Sequence, residues 1–179
     1  MALGLQLWVN LKSTEKLCDP AYQELKNEQV PEATHNGVTA KIIAGEAFGV
    51  QSPVYTRTPT VCVYLVELLV LWLTHCTLHS SFQHYIHFRM QPNSQLEQPV
   101  PAGWNAFMYI IDGKVAVGAE SSDLIDAHNL ILLNQGGDGV IVRTLDDAAE
   151  LVVISGEPIG EPVAQHGKYC LRDGLWSSR

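Results

Sequence analysis

Four of the seven histidines crowd into one stretch of the chain: His75, His79, His84 and His87. His75 and His79 are spaced i, i+4, and His84 and His87 are spaced i, i+3. On a helix each pair would share one face and could bind zinc or nickel. The bland alternative is that the stretch is foreign sequence, such as a retained intron or a misjoined exon, whose histidines have no chemical role. The acids favour the bland reading. Ligating imidazoles are usually oriented by carboxylates, and no Asp or Glu stands between Glu67 and Glu97. His128 and His166 fall on expected loops or strand ends and read as surface or hydrogen-bonded histidines. Cys18 and His35 could suggest a thiol nucleophile and its base, but both lie in polar linker with no framework to fix their geometry. Ser80-Ser81 and Ser121-Ser122 lack a GxSxG elbow. Gly136-Gly-Asp-Gly139 is followed by no GK[ST] and reads as a turn rather than a phosphate loop. No catalytic constellation emerges from these residues, and none of them is assigned to a metal or a cofactor.

The whole chain agrees with that economy of chemistry. Its 179 residues suffice for one ordinary domain with appendages and are too few for two full cores. A 46% hydrophobic and 17% charged composition is globular. Eleven basic residues against nineteen acidic ones leave a formal charge of -8, which repels phosphate backbones and disfavours direct binding to nucleic acid or anionic membrane. Cys18, Cys62, Cys76 and Cys170 form no CxxC pair, as expected of an intracellular chain with reduced thiols. Met1 to Val9 lacks the basic and small-residue features of a signal peptide, so the expected location is the nucleus, the cytoplasm or both.

The elements that would position functional groups are short strands. Leu5, Leu7, Val9 and Leu11 alternate with polar or aromatic residues at period two, which predicts a strand near the start. Ser13 to Gly37 reads as linker broken at Asp19-Pro20, Val30-Pro31 and Asn36-Gly37. Further strands are expected at Val38 to Ile43, Val54 to Arg57, Ala106 to Ile111, Lys114 to Gly118, Leu130 to Leu133, Val140 to Thr144 and Leu151 to Ile154. Asp112-Gly113 between two of these runs predicts a hairpin with a type I′ turn. Ile43 to Gly49 is echoed by Ile154 to Gly160, as in two similar corners. Val61 to Phe88 fits poorly, since Glu67 is its only charged residue before Arg89. Its apolar part, Val61 to Leu73, is shorter than the roughly 20 residues a membrane span needs.

Several ordered motifs resemble one family. Leu5-Gln-Leu-Trp-Val-Asn-Leu11, Tyr22-Gln-Glu-Leu25, Val54-Tyr-Thr-Arg-Thr-Pro-Thr60, Pro99-Val-Pro-Ala-Gly-Trp104, Gly156-Glu-Pro-Ile-Gly-Glu-Pro-Val163 and Gln165-His-Gly167 are similar to the pirins, two-barrel members of the cupin superfamily. The resemblance implies an all-β fold, a cupin-type antiparallel β-barrel of jelly-roll kind, truncated relative to the two-barrel architecture. It implies residues 1–37 as a leftover N-terminal strand and inter-barrel linker, and 38–167 as the second cupin barrel. An apolar, His-rich insertion at 61–87 interrupts that barrel, and 168–179 forms a divergent tail.

In pirins an iron is held in the first barrel by three histidines and a glutamate, all upstream of the segment resembling Leu5 to Leu11, so those ligands are absent here. A cupin site in this barrel would need HxH on one strand with further donors beside it. The corresponding stretch, Leu96 to Pro101, offers only Glu97. The resemblance implies a regulatory, transcription-cofactor type of role through a protein partner, with self-association possible through the unpaired N-terminal strand. It also implies, as the alternative, a fragment of a quercetin 2,3-dioxygenase-type metalloenzyme; a truncated product without a role of its own is the third reading.

Overall fold

In the computed structural model the described residues are 5, 7, 9–54, 83–120, 123–162, 164–166 and 169–171. Six antiparallel strands build the larger sheet, in the order β1 (Glu32–His35), β2 (Val38–Ala44), β5 (Gln83–Met90), β12 (Ala149–Gly156), β7 (Asn105–Asp112) and β10 (Leu130–Leu132). Facing it is a four-stranded sheet of β6 (Gln95–Pro99), β11 (Gly139–Arg143), β8 (Lys114–Val117) and β9 (Leu124–Asp126). Two small hairpins complete the set, β3 (Glu46–Ala47) with β4 (Val50–Gln51), and β13 (Ala164–His166) with β14 (Tyr169–Leu171). From β5 to β8, and again from β9 to β12, successive strands switch sheets. That alternation is the jelly-roll way of closing a sandwich.

Period-two alternation sends every second side chain of the central strands inward. Val38, Ala40 and Ile42 of β2, Ile86, Phe88 and Met90 of β5, and Ala149, Leu151 and Val153 of β12 form one core with Met108 and Ile110 of β7. Leu96, Val115, Val140 and Val142 close it from the smaller sheet. At the Met90 end of the barrel Ser94 and Thr144 satisfy one another and the backbone. Thr144 Oγ1 donates to Gln91 O at 2.6 Å, Ser94 Oγ to the same carbonyl at 2.6 Å, and Ser94 N to Thr144 Oγ1 at 3.0 Å.

Several expectations change here. Asp112-Gly113 is no hairpin, because β7 pairs with β12 and β10 whereas β8 pairs with β11 and β9. It is instead a corner between the sheets. Gly113 has φ +79 and a Cβ there would lie 2.2 Å from the Ala148 carbonyl oxygen, so glycine is required by close approach as well as by conformation. The predicted strand from Leu5 to Leu11 does not form among its described residues: Leu5, Leu7 and Val9 belong to no strand and are 46%, 38% and 48% exposed. That segment is tied instead at Ser13, whose N and Oγ both donate to the Glu161 carboxylate. A strand does occur inside the supposed linker: β1 pairs Glu32 with Lys41 and His35 with Val38.

The 61–87 insertion ends too late. Residues 83–87 lie in β5, flanked by β2 and β12 in the middle of the larger sheet. Residues 61–82 lie outside the described residues, as do His75, His79, and all of the expected Val54 to Arg57 strand except Val54, which is not in a strand. The hairpin of β13 and β14 likewise crosses the expected boundary between 167 and the tail. Among the described residues no helix is long and apolar enough to cross a membrane.

Candidate functional site

The end of the barrel opposite Met90 is built differently. Here β5 begins, and its second residue, His84, points inward and is 9% exposed. Because a strand alternates sides, His87 points outward, where its Nε2 lies 2.6 Å from Glu150 Oε1. The i, i+3 pair expected to share a helical face is therefore split across the sheet. His84 stands opposite Ser155 of β12, and its ring packs on Trp104 with centroids 5.3 Å apart. Gly45 backs it closely, since a Cβ there would lie 2.5 Å from His84 Cδ2. Burial lowers the His84 pKa below the usual histidine value, and the charge of Glu46 works in the opposite direction. A neutral imidazole results near pH 7, with a ring nitrogen free to accept.

Gln98 supplies the second buried polar group. It is the inward residue of β6 after Leu96 and is 3% exposed. Its Nε2 donates to the carbonyls of Glu46 at 3.2 Å and Pro99 at 3.1 Å. Two carbonyl acceptors fix which end of the amide is nitrogen, and that leaves Oε1 buried with no partner among the described residues. His84 Nδ1 and Ser155 Oγ are buried without partners there as well. Buried polar atoms are nearly always paired in folded proteins, so three unpaired ones gathered at one barrel mouth mark it as the functional end. A cleft of about 560 Å³ opens there between the β3–β4 turn and the stretch from Glu97 to Pro101, with His84 and Gln98 in its wall. A second cleft of about 410 Å³ shares His84 and continues past Ser155 and Phe107 to Leu7 and Val9.

The residues weighed from sequence are mostly elsewhere. His128 is an exposed corner residue at φ +66, its Nδ1 3.4 Å from the Tyr109 hydroxyl. His35 packs its ring on Phe48 at 5.7 Å, and Cys18 is a partly buried free thiol. Gly136 to Gly139 is a turn that leads into β11. Glu97 lies on the cleft rim, where Gln95 Nε2 donates to it at 2.6 Å. Sequence reasoning missed Gln98 and Ser155. The available signal was Leu96-x-Gln98-x-Val100, an inward alternation with one polar member.

A closed antiparallel jelly roll with its polar groups at one mouth is a cupin domain. Residues 85–171 match the family described as the pirin C-terminal cupin domain. Pirin-like protein 2 of Arabidopsis thaliana is 42% identical over 173 residues, covering 94% of this chain and 47% of that protein. Human pirin is 40% identical over 172 residues, covering 95% and 51%. The chain belongs to the pirin family, and it spans about half the length of the curated relatives it matches. Among solved structures, a quercetin 2,3-dioxygenase from Acinetobacter baumannii superposes with TM-score 0.71 at 18% identity, over 93% of this chain and 50% of that one. A Geobacillus kaustophilus protein gives 0.68 at 24% identity, over 87% and 54%. At these identities the likeness concerns the fold.

The residues at this mouth do not fit the iron that the family implies. Among the described residues no three His, Cys, Asp or Glu side chains converge to hold a metal ion. His84 and Glu46 are neighbours, but the other buried polar side chains at this mouth are Gln98 and Ser155, whose amide and hydroxyl oxygens are poor iron ligands beside imidazole or carboxylate.

Proposed function

We propose that this chain is a pirin-type interaction module that acts through a protein partner in transcription, in the nucleus or cytoplasm, without turning over a substrate of its own. The observation behind this reading is the outer face of the larger sheet. In a sandwich that face is ordinarily polar. Here the registered row Leu132, Phe107, Ile154, Tyr85 crosses four strands, and the next row holds Leu130 and Tyr109 before reaching the buried Val152 and then His87. Leu130 and Leu132 are 58% and 77% exposed on the unpaired edge strand β10. The opposite edge, β1, is guarded by Glu32, which pairs with Lys41 at 3.3 Å and Arg89 at 3.0 Å. One edge is thus protected against pairing and the other is apolar, the arrangement expected where a partner docks. The partner that suits it has an apolar centre and a basic rim, given the charge of -8.

The docking face is then β10 and its neighbours rather than Leu5 to Leu11. Leu7 and Val9 already lie along one end of the same face, lining a cleft with Tyr85, Phe107 and Ile154. The test is proximity labelling in cells with the parent chain and with Leu130→Lys/Leu132→Lys. Partners should be labelled by the parent and lost with the variant, while its thermal midpoint stays within a few degrees. An unchanged set of partners would reject the face. Salt-sensitive binding of naked DNA by the parent, or quercetin-dependent oxygen uptake, would reject the reading as a whole.

A further inference from the structure

Among the described residues four strands are edges of the two main sheets: β1 and β10 of the larger, β6 and β9 of the smaller. Three of them carry the residues that discourage pairing with another chain. β1 has Glu32 with its two cationic partners. β6 has Glu97 and also Pro99, which has no N–H to offer. β9 has Asp126, bonded to Lys114 at 3.0 Å. β10 alone among these edges is Leu130-Ile131-Leu132, without a charge or a proline.

The backbone of β10 is presented for pairing. On one side it is held to β7, where Asn129 O accepts from Ile110 N at 3.1 Å and Leu133 N donates to Ala106 O at 3.0 Å. Backbone groups alternate sides along a strand, so those of Asn129, Ile131 and Leu133 face β7, and those of Leu130 and Leu132 face the open edge. Side chains alternate as well. Ile131 and Leu133 pack against the core, whereas Leu130 and Leu132 stand on the exposed outer face. The charge around this edge has one sign. Between Lys114 and Arg143 the chain has Glu120, Asp123, Asp126 and Asp138 and no lysine or arginine.

We propose that β10 takes up an extended segment of the protein partner as a seventh, antiparallel strand of the larger sheet. The segment has apolar residues at alternate positions and lysine or arginine at its ends. This rests on β10 and its neighbours being the docking face, and adds how the partner is held there. The antiparallel sense follows the sheet, in which every pair is antiparallel. Residues opposite Leu130 and Leu132 then exchange backbone hydrogen bonds with them and set their side chains on the same outer face. The row Leu132, Phe107, Ile154, Tyr85 gains a fifth apolar member. So short an edge supplies few backbone bonds, and the row and the acids that bracket the strand supply the rest of the affinity. A second copy of this chain suits the edge less well, because it brings the same acids to it.

The probe is the peptide acetyl-Lys-Val-Thr-Val-Thr-Val-Lys-amide, titrated into the full ¹⁵N-labelled chain at neutral pH and low salt. Shifts should centre on Leu130 and Leu132, and the amides of these two residues should become protected from hydrogen exchange. N-methylation of the valines removes the N–H groups that face β10, and should weaken binding about tenfold or more, since each backbone hydrogen bond is worth roughly two- to tenfold. N-methylation of the threonines, whose N–H groups face solvent, should leave affinity within about twofold. Exchanging both lysines for glutamate should abolish binding, and salt should weaken the binding of the parent peptide. Binding lost in Leu130→Lys/Leu132→Lys but indifferent to N-methylation of the valines would overturn the strand pairing and leave the face standing as a docking surface. Protection of the same amides that grows with protein concentration in the absence of peptide would assign the edge to a second copy and overturn the proposal. Absence of saturable binding, or shifts centred elsewhere, would overturn it too.

Discussion

Replacing Gly45 by alanine probes the contact on which the barrel mouth is built. Gly45 leaves β2 with φ +94, and a Cβ there would lie 2.5 Å from His84 Cδ2, 2.9 Å from the Gln83 carbonyl oxygen and 3.1 Å from His84 Cα. Carbon atoms rest at about 3.5–4.0 Å, so the His84 ring, already packed on Trp104, would have to move by roughly 1 Å within a close-packed neighbourhood. Two costs add: about 1–2 kcal/mol for a side chain at positive φ, and about 1–3 kcal/mol for overpacking. Gly49→Ala separates them, because Gly49 has φ +75 but nothing within 4 Å of its Cβ position. It should lose only the backbone part. Urea unfolding followed by tryptophan fluorescence measures both variants, with Gly45→Ala expected to be less stable than Gly49→Ala by about 1–3 kcal/mol. If the two agree within about 0.5 kcal/mol, the His84 ring yields freely, and the reasoning that Gly45 fixes its position is wrong.

Other consequences follow from the same geometry. Burial depresses the His84 pKa in the folded chain below its ordinary 6.5, so the unfolded chain takes up this proton first. Its contribution to stability is complete above about pH 6.5 and is lost as pH falls from there to the folded pKa. The urea midpoint of the parent should drop over that window more than that of His84→Phe; parallel curves would show that His84 is not desolvated. Phe88 is fully buried between the sheets, and Phe88→Ala should cost about 3–5 kcal/mol in the same unfolding assay. Deleting residues 83–87 removes most of the strand between β2 and β12 and should leave no cooperative thermal transition, which circular dichroism would register. After incubation with ferrous iron and gel filtration, the chain should retain no stoichiometric iron by elemental analysis, because no three donors converge among its described residues.

Much of this molecule could be read from the order of its residues. Alternation at Val38 to Ile43, Ala106 to Ile111, Val140 to Thr144 and Leu151 to Ile154 predicted β2, β7, β11 and β12 within a residue or two, because a buried face imposes its period on any strand that carries it. Motifs such as Pro99 to Trp104 and Gly156 to Val163 pointed to the right family and to an all-β barrel. What the sequence could not determine was pairing, which joins residues far apart in the chain. The same Asp-Gly step serves a hairpin or a corner between sheets, and only the partners of β7 and β8 decide between them. His84 and His87 suit one face of a helix or two faces of a strand. The hydrogen bonds of β2 and β12 on either side of β5 choose the strand, sending one histidine into the barrel and the other to Glu150. Gln98 and Ser155 became visible as site residues only once closure of the barrel removed water from Gln98 Oε1 and Ser155 Oγ and left both without a partner among the described residues.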